Sequence, residues 1–150
     1  MIPASEGTVE LERRIAARAE TIFSYLIDPE QFRRWQGVDA ELDPRPGGIF
    51  RVRGTTHPHH IVSGQYVEVE PPTRLVYTWG YEPNDALAKG QRGMPPGSST
   101  VEMVLVPDGD ATIVRIRHSG LPTDDACQFH GLGWETVLEQ LFIGAEKMRR

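Results

Sequence analysis

The stretch TDDACQFHGLGWETVLEQLFIGAEKM (residues 123–148) is the longest run of helical period in the chain, and the rest has to be arranged around it. Trp134, Val137, Leu138, Leu141, Ala145 and Met148 recur at helical intervals, which gives a long helix with one apolar face. Thr123 stands where a capping hydroxyl belongs, and Asp124 and Asp125 suit the positive end of the helix dipole. Gly131 and Gly133 each cost about 1 kcal/mol relative to alanine in a helix interior. They predict a break, a bend or a close approach by another element just before Trp134.

A one-sided helix needs an apolar surface to cover, and the preceding text supplies strands. GIFRVRG (48–54) alternates, with Phe50 and Val52 on one side and Arg51 and Arg53 on the other. IVSGQYVEVE (61–70) is a strand whose alternation is confused around Gly64, where a bulge would shift the face. RLVYTWGY (74–81) aligns Leu75, Tyr77, Trp79 and Tyr81, and STVEMVLVP with ATIVRIRHSG forms a hairpin across the DGD turn. In its second strand Val114, Ile116 and His118 share the apolar face.

The chain opens with a further strand, TVELERRI (8–15), in which Val9, Leu11, Arg13 and Ile15 share a face. Two short helices follow: AETIFSYLI lacks a good cap, and DPEQFRRW restarts cleanly, with Asp28 capping, Pro29 at the first helical position and Glu30 in the first turn. The first seven residues are expected to be flexible. Residues 82–97, EPNDALAKGQRGMPPG, form a loop longer than compact domains normally carry, expected to be mobile and more a plain insertion than a lid. The order predicts an α+β helix-grip fold over residues 1–150 as one domain. In it a curved antiparallel sheet of six to seven strands wraps a long C-terminal helix, with two short helices after the first strand.

At 150 residues with net charge −5 and no basic stripe, the chain is a poor partner for nucleic acid. It has no apolar run of the roughly 20 residues that span a bilayer, so membrane insertion is not expected. The start has no basic-then-apolar signal, and Cys127 is the only cysteine, so a cytoplasmic location is the expectation. No nucleophile elbow, phosphate loop, dinucleotide motif or paired-cysteine zinc pattern is present, and no cofactor, metal or catalytic set is assigned. His57, His59 and His60 crowd one hairpin tip, but neighbouring strand residues diverge to opposite faces, so a polar tip is expected there and not a metal cage.

The succession AARAETIF, DPEQFRRW, DPRPGGIFRV, GQYVEVEPPTRLVYTW, PPGSSTVEMVLVPDG, HSGLP and HGLGWETVLEQL resembles the START-like superfamily of helix-grip proteins, also called SRPBCC. Within it the sequence is most similar to the bacterial group homologous to the activator of the heat-shock protein 90 ATPase. The likeness runs from about Val9 to Leu141, with two departures: Gln36, where the family often carries a second tryptophan after Trp35, which bears on pocket shape, and the lengthened loop 82–97, which bears on the pocket mouth or an interface. What the resemblance implies is a cavity between sheet and helix, commonly for hydrophobic small molecules, and not one activity.

The residues expected to line that cavity are Arg13, Trp35, Phe50, Tyr66, Tyr77, Trp79, His118, His130, Trp134, Leu138 and Leu141. The aromatics serve equally as core, the two readings differing in whether the space is filled. Arg13 has inward parity and needs a partner, either a carboxylate such as Glu68 or an acidic ligand group. His118 and His130, one turn before Trp134, are either buried histidines paired within the protein or polar anchors and proton donors for a ligand. Binding of a hydrophobic or aromatic small molecule without catalysis is the expected function. A cyclase- or aromatase-type enzyme using His118, His130 or Tyr66, and a co-chaperone-like interaction module, are the alternatives, and a homodimer is left open.

Overall fold

The computed structural model describes residues 4–5, 7–36, 38–54 and 60–148. Eight strands form one antiparallel sheet: β1 (Ala4–Ser5), β2 (Thr8–Ile15), β3 (Val38–Leu42), β4 (Ile49–Gly54), β5 (Ile61–Glu70), β6 (Arg74–Trp79), β7 (Ser99–Asp108) and β8 (Ala111–Ser119). Their order is β1-β2-β8-β7-β6-β5-β4-β3, so β3 to β8 is a simple meander and the first full-length strand closes onto the last. Between β2 and β3 stand α1 (Ala19–Ile27) and α2 (Pro29–Gln36), and α3 (Asp124–Met148) ends the fold. This is the expected helix-grip architecture, with seven longer strands and a two-residue addition at one edge.

The expected alternations hold. On β7 every second residue from Ser99 to Leu105 is buried, and on β8 Val114, Ile116 and His118 are buried while Arg115 and Arg117 are exposed. The inner face of the sheet meets Trp134, Leu138, Leu141 and Ala145 of α3 in one core. Each such fully buried large apolar side chain contributes roughly 1.5–3 kcal/mol. The outer face carries cross-strand ion pairs, Arg117 with Glu10 at 3.2 Å and Arg115 with Glu12 at 3.7 Å. Exposed pairs of this kind add at most about 1 kcal/mol each, so they set solubility and register more than stability.

The caps behave as their residue types predict. Asp28 Oδ1 accepts the amides of Glu30 and Gln31 at 2.9 and 3.2 Å, which angles α2 away from α1. Thr123 Oγ1 accepts the Ala126 amide at 3.0 Å, so α3 starts one residue later, at Asp124.

Two expectations are corrected, and other segments are placed. α3 runs unbroken through Gly131 and Gly133, so neither marks a break; a Cβ at Gly133 would meet nothing within 4 Å, so no element approaches it closely, while Gly131 is buried. The bulge on β5 lies between Tyr66 and Glu68, not at Gly64, and it turns Val67 outward. Residues 82–97 are tethered: the Tyr81 amide donates to the Met94 carbonyl at 2.7 Å, Gln91 and Met94 are buried, and Gly90 packs on Phe129. Ala4–Ser5 pairs with Thr8–Val9, and residues 1–3 and 6 of the expected flexible start lie outside the described residues. So do His57 and His59, while His60 Nε2 lies 3.2 Å from the Ala86 carbonyl of the long loop. No helix of the described residues is long and apolar enough to cross a membrane.

Candidate functional site

Under α2, between the inner face of the sheet and α3, lies an apolar cavity of about 110 Å³. β4 gives it Phe50 and Val52, β6 gives Leu75, Tyr77 and Trp79, and α3 gives Trp134 and Val137. Trp35 and Gln36 close it from the end of α2. The walls are aromatic in fixed mutual orientations. Phe50 and Tyr77 stack with centroids 4.1 Å apart, while Trp79 and Trp134 lie 5.2 Å apart at 52°. Such offset and tilted arrangements hold rings by their quadrupoles as well as by area, so the space stays open with defined faces.

Of the residues expected at the cavity, Trp35, Phe50, Tyr77, Trp79 and Trp134 line it. Tyr66, Leu141 and both histidines are packed in the core beside it. Leu138 and Arg13 line a separate open depression at the sheet edge. Arg13 keeps its inward parity, but its partner is not Glu68: it pairs with Glu139 of α3 and lies over the Phe142 ring, 4.1 Å from the centroid. Glu68 instead pairs with Arg74. The reason is position along the strand, since Arg13 sits where β2 passes under the second half of α3.

His118 and His130 do converge, with ring centroids 5.0 Å apart, and their partners fix every proton. The Trp134 indole N–H, a donor only, donates to His118 Nδ1 at 3.0 Å. His118 Nε2 therefore carries the hydrogen and donates to Ser99 Oγ at 2.8 Å, and Ser99 passes its own to the Trp79 carbonyl at 2.8 Å. His130 Nδ1 donates to the Ala126 carbonyl at 2.7 Å, so its Nε2 accepts from the Tyr81 hydroxyl at 2.8 Å. Burial pushes the His118 pKa down to about 3, with the neighbouring His130 adding to the effect. Burial also lowers that of His130, and it raises that of the Tyr81 hydroxyl to about 12. Both imidazoles are neutral near pH 7, and neither hydroxyl nor ring in this chain of bonds has a proton to spare.

The Tyr66 hydroxyl is buried with no hydrogen-bond partner among the described residues, and burial holds it protonated by raising its pKa. Among those residues no group of three or more histidine, cysteine, aspartate or glutamate side chains is placed to hold a metal ion.

Leu26, Phe32, Gln36, Val52, Leu75, Met103 and Val137 also line the cavity without having been singled out as wall residues. Val52 and Leu75 have the right strand parity, so alternation marks them. Leu26 and Phe32 are legible only once α1 and α2 are known to lie over the sheet.

A family model described as Activator of Hsp90 ATPase homolog 1-like protein matches residues 16–142. None of the curated proteins compared matches the chain. Among solved structures, protein MLL2253 from Mesorhizobium loti is 23% identical with a TM-score of 0.77, over 93% of this chain and 97% of that one. CalU16 from Micromonospora echinospora is 28% identical with a TM-score of 0.71, over 91% of this chain and 72% of that one. An HSP90 activator from Plasmodium falciparum is 20% identical with a TM-score of 0.58, over 77% and 74%, a likeness of fold. With that model spanning all but the two ends, and with the sheet and helices just described, the chain belongs to the activator of Hsp90 ATPase homolog 1-like family, within the START-like superfamily.

Proposed function

We propose that this protein binds a small aromatic or apolar molecule in the cavity under α2 and does not transform it. The observation that carries the reading is the partly enclosed space walled by Trp35, Phe50, Tyr77, Trp79 and Trp134, where a filled core would have left none. Catalysis by a cavity histidine has less support. His118 and His130 are neutral, bonded at both nitrogens and outside the lining. Proton transfer would require breaking bonds that hold the core together. A cytoplasmic setting belongs to the same reading, in keeping with the buried, unpaired Cys127.

Native mass spectrometry of the protein purified from its own cells, with melting measured against a panel of monocyclic aromatics, tests this. A co-purifying mass, or a rise in Tm with a ring-sized compound that saturates, is expected. An empty protein whose melting no member of the panel moves would overturn the proposal.

A further inference from the structure

The cavity alone is small for a ligand site. Pockets for drug-sized molecules run to roughly 300–1,000 Å³, and one of roughly 150 Å³ holds a benzene ring. At about 110 Å³ this one takes a single ring at most, with slight adjustment of its walls. Yet one of those walls has a second side. Trp35 also lines an open groove of about 730 Å³ on the surface between α2 and the end of α3.

We propose that cavity and groove are two halves of one site, for a molecule with a single aromatic ring on a neutral, hydrogen-bonding tail. The ring occupies the cavity and the tail lies in the groove, with Trp35 as the partition at the crossing. This rests on the reading of the cavity as a ligand site and adds to it the tail and its route.

The lining of the groove sets the character of the tail. Its charges balance, Asp28 and Glu30 against Arg34 and Lys147. Asp28 is engaged by the two amides that it caps, and Glu30 lies 3.7 Å from Arg34. Beside the Lys147 ammonium, the groove offers a ligand mainly hydrogen-bonding groups, the amides of Gln31 and Gln140, with the exposed Ile143 next to them. A tail of hydroxyl, ether or amide groups fits that surface better than a charged or purely alkyl one, because each lost hydration bond finds a replacement.

The crossing lies at Trp35, the residue that lines both spaces. Gln36, next to Trp35, lines the cavity, and its side-chain amide makes no hydrogen bond among the described residues. Trp35 is held by one bond from its indole N–H to the Tyr25 carbonyl at 2.8 Å and by an edge contact with Phe32. Opposite it stands Gly144, where a Cβ would meet the Trp35 Cβ at 3.8 Å, ordinary contact. An alanine at 144 therefore fits without strain, and a leucine reaches further into the groove beside Trp35.

Isothermal titration of the full chain with phenol, triethylene glycol and triethylene glycol monophenyl ether tests the proposal. The ether is expected to bind at least about tenfold tighter than phenol, and the glycol alone not measurably. Gly144→Leu is expected to bring the ether down to the level of phenol while phenol stays within about twofold. Gly144→Ala serves as the milder variant should the leucine lower the melting temperature. An ether no tighter than phenol, or a gain that survives groove-filling variants of normal melting, overturns the two-part site and leaves ring binding standing. If neither phenol nor the ether binds, both this inference and the proposed function fall.

Discussion

Gly64 on β5 approaches Thr78 on β6 so closely that a Cβ at position 64 would stand 2.0 Å from the Thr78 carbonyl oxygen. No side chain fits there unless the backbone of the pair moves. Gly64→Ala is expected to cost more than about 2 kcal/mol in urea unfolding, as overpacking against backbone does. Gly133→Ala, on an open face of α3, is expected to add about 0.5–1 kcal/mol by helix propensity alone. Opposite signs for two Gly→Ala changes are the measurement, and equal signs would contradict the placement.

The depressed pKa of His118 makes stability fall with acid. Below the ordinary value of 6.5 the unfolded chain takes up a proton that the folded chain, with a pKa of about 3, does not. The stabilisation is complete above pH 6.5 and drains as pH falls toward 3. By pH 4.5 the loss from this group amounts to about 2–3 kcal/mol. Urea midpoints across pH 7 to 4.5 check it, with His118→Gln as the comparison, whose slope is expected to be shallower.

Trp134→Phe keeps a ring in the core but removes the indole N–H that donates to His118 Nδ1. A buried acceptor without a partner costs about 1–3 kcal/mol. The loss is expected in the unfolding free energy, and imidazole NMR is expected to show the His118 tautomer no longer fixed.

Val137→Phe places a ring from α3 into the cavity, whose other walls stay as they are. Ring-sized compounds are expected to lose their effect on melting, while the variant itself stays within about 1.5 kcal/mol of the parent because filled space offsets the strain. Undiminished binding would place the ligand elsewhere.

Asp28→Ala removes the acceptor of two amides at the start of α2. The expected cost is about 1 kcal/mol. Because α2 carries Trp35 and Gln36, ligand affinity is expected to fall along with stability, readable by titration of the same probe.

How far the sequence reached depends on the range of the forces involved. Period and caps are local, so the strands, the break at Asp28 and the cap at Thr123 were legible, and so was the inward parity of Phe50, Tyr77 and His118. Arg13 shows the limit: parity told which face it takes, but its partner, Glu139, depends on where α3 crosses β2. The cavity shows it again. Its aromatic walls on the strands could be named, yet Leu26 and Phe32 line it only because α1 and α2 lie over the sheet, and no local pattern carries that. Gly133 was misjudged because propensity registers the cost of a glycine and says nothing of the space around it.

The closure of β2 onto β8 has a consequence for the order in which the molecule comes into being. Glu10 and Arg117, paired across that closure, are 107 residues apart in the chain. The meander from β3 to β7 needs only neighbours and can assemble while the chain is still being made. β2 waits for its partner until every other strand of the sheet has been made, and α3 comes later still. Because Trp134 and Val137 of α3 complete the cavity wall, the cavity takes shape only after every strand of the sheet has been made.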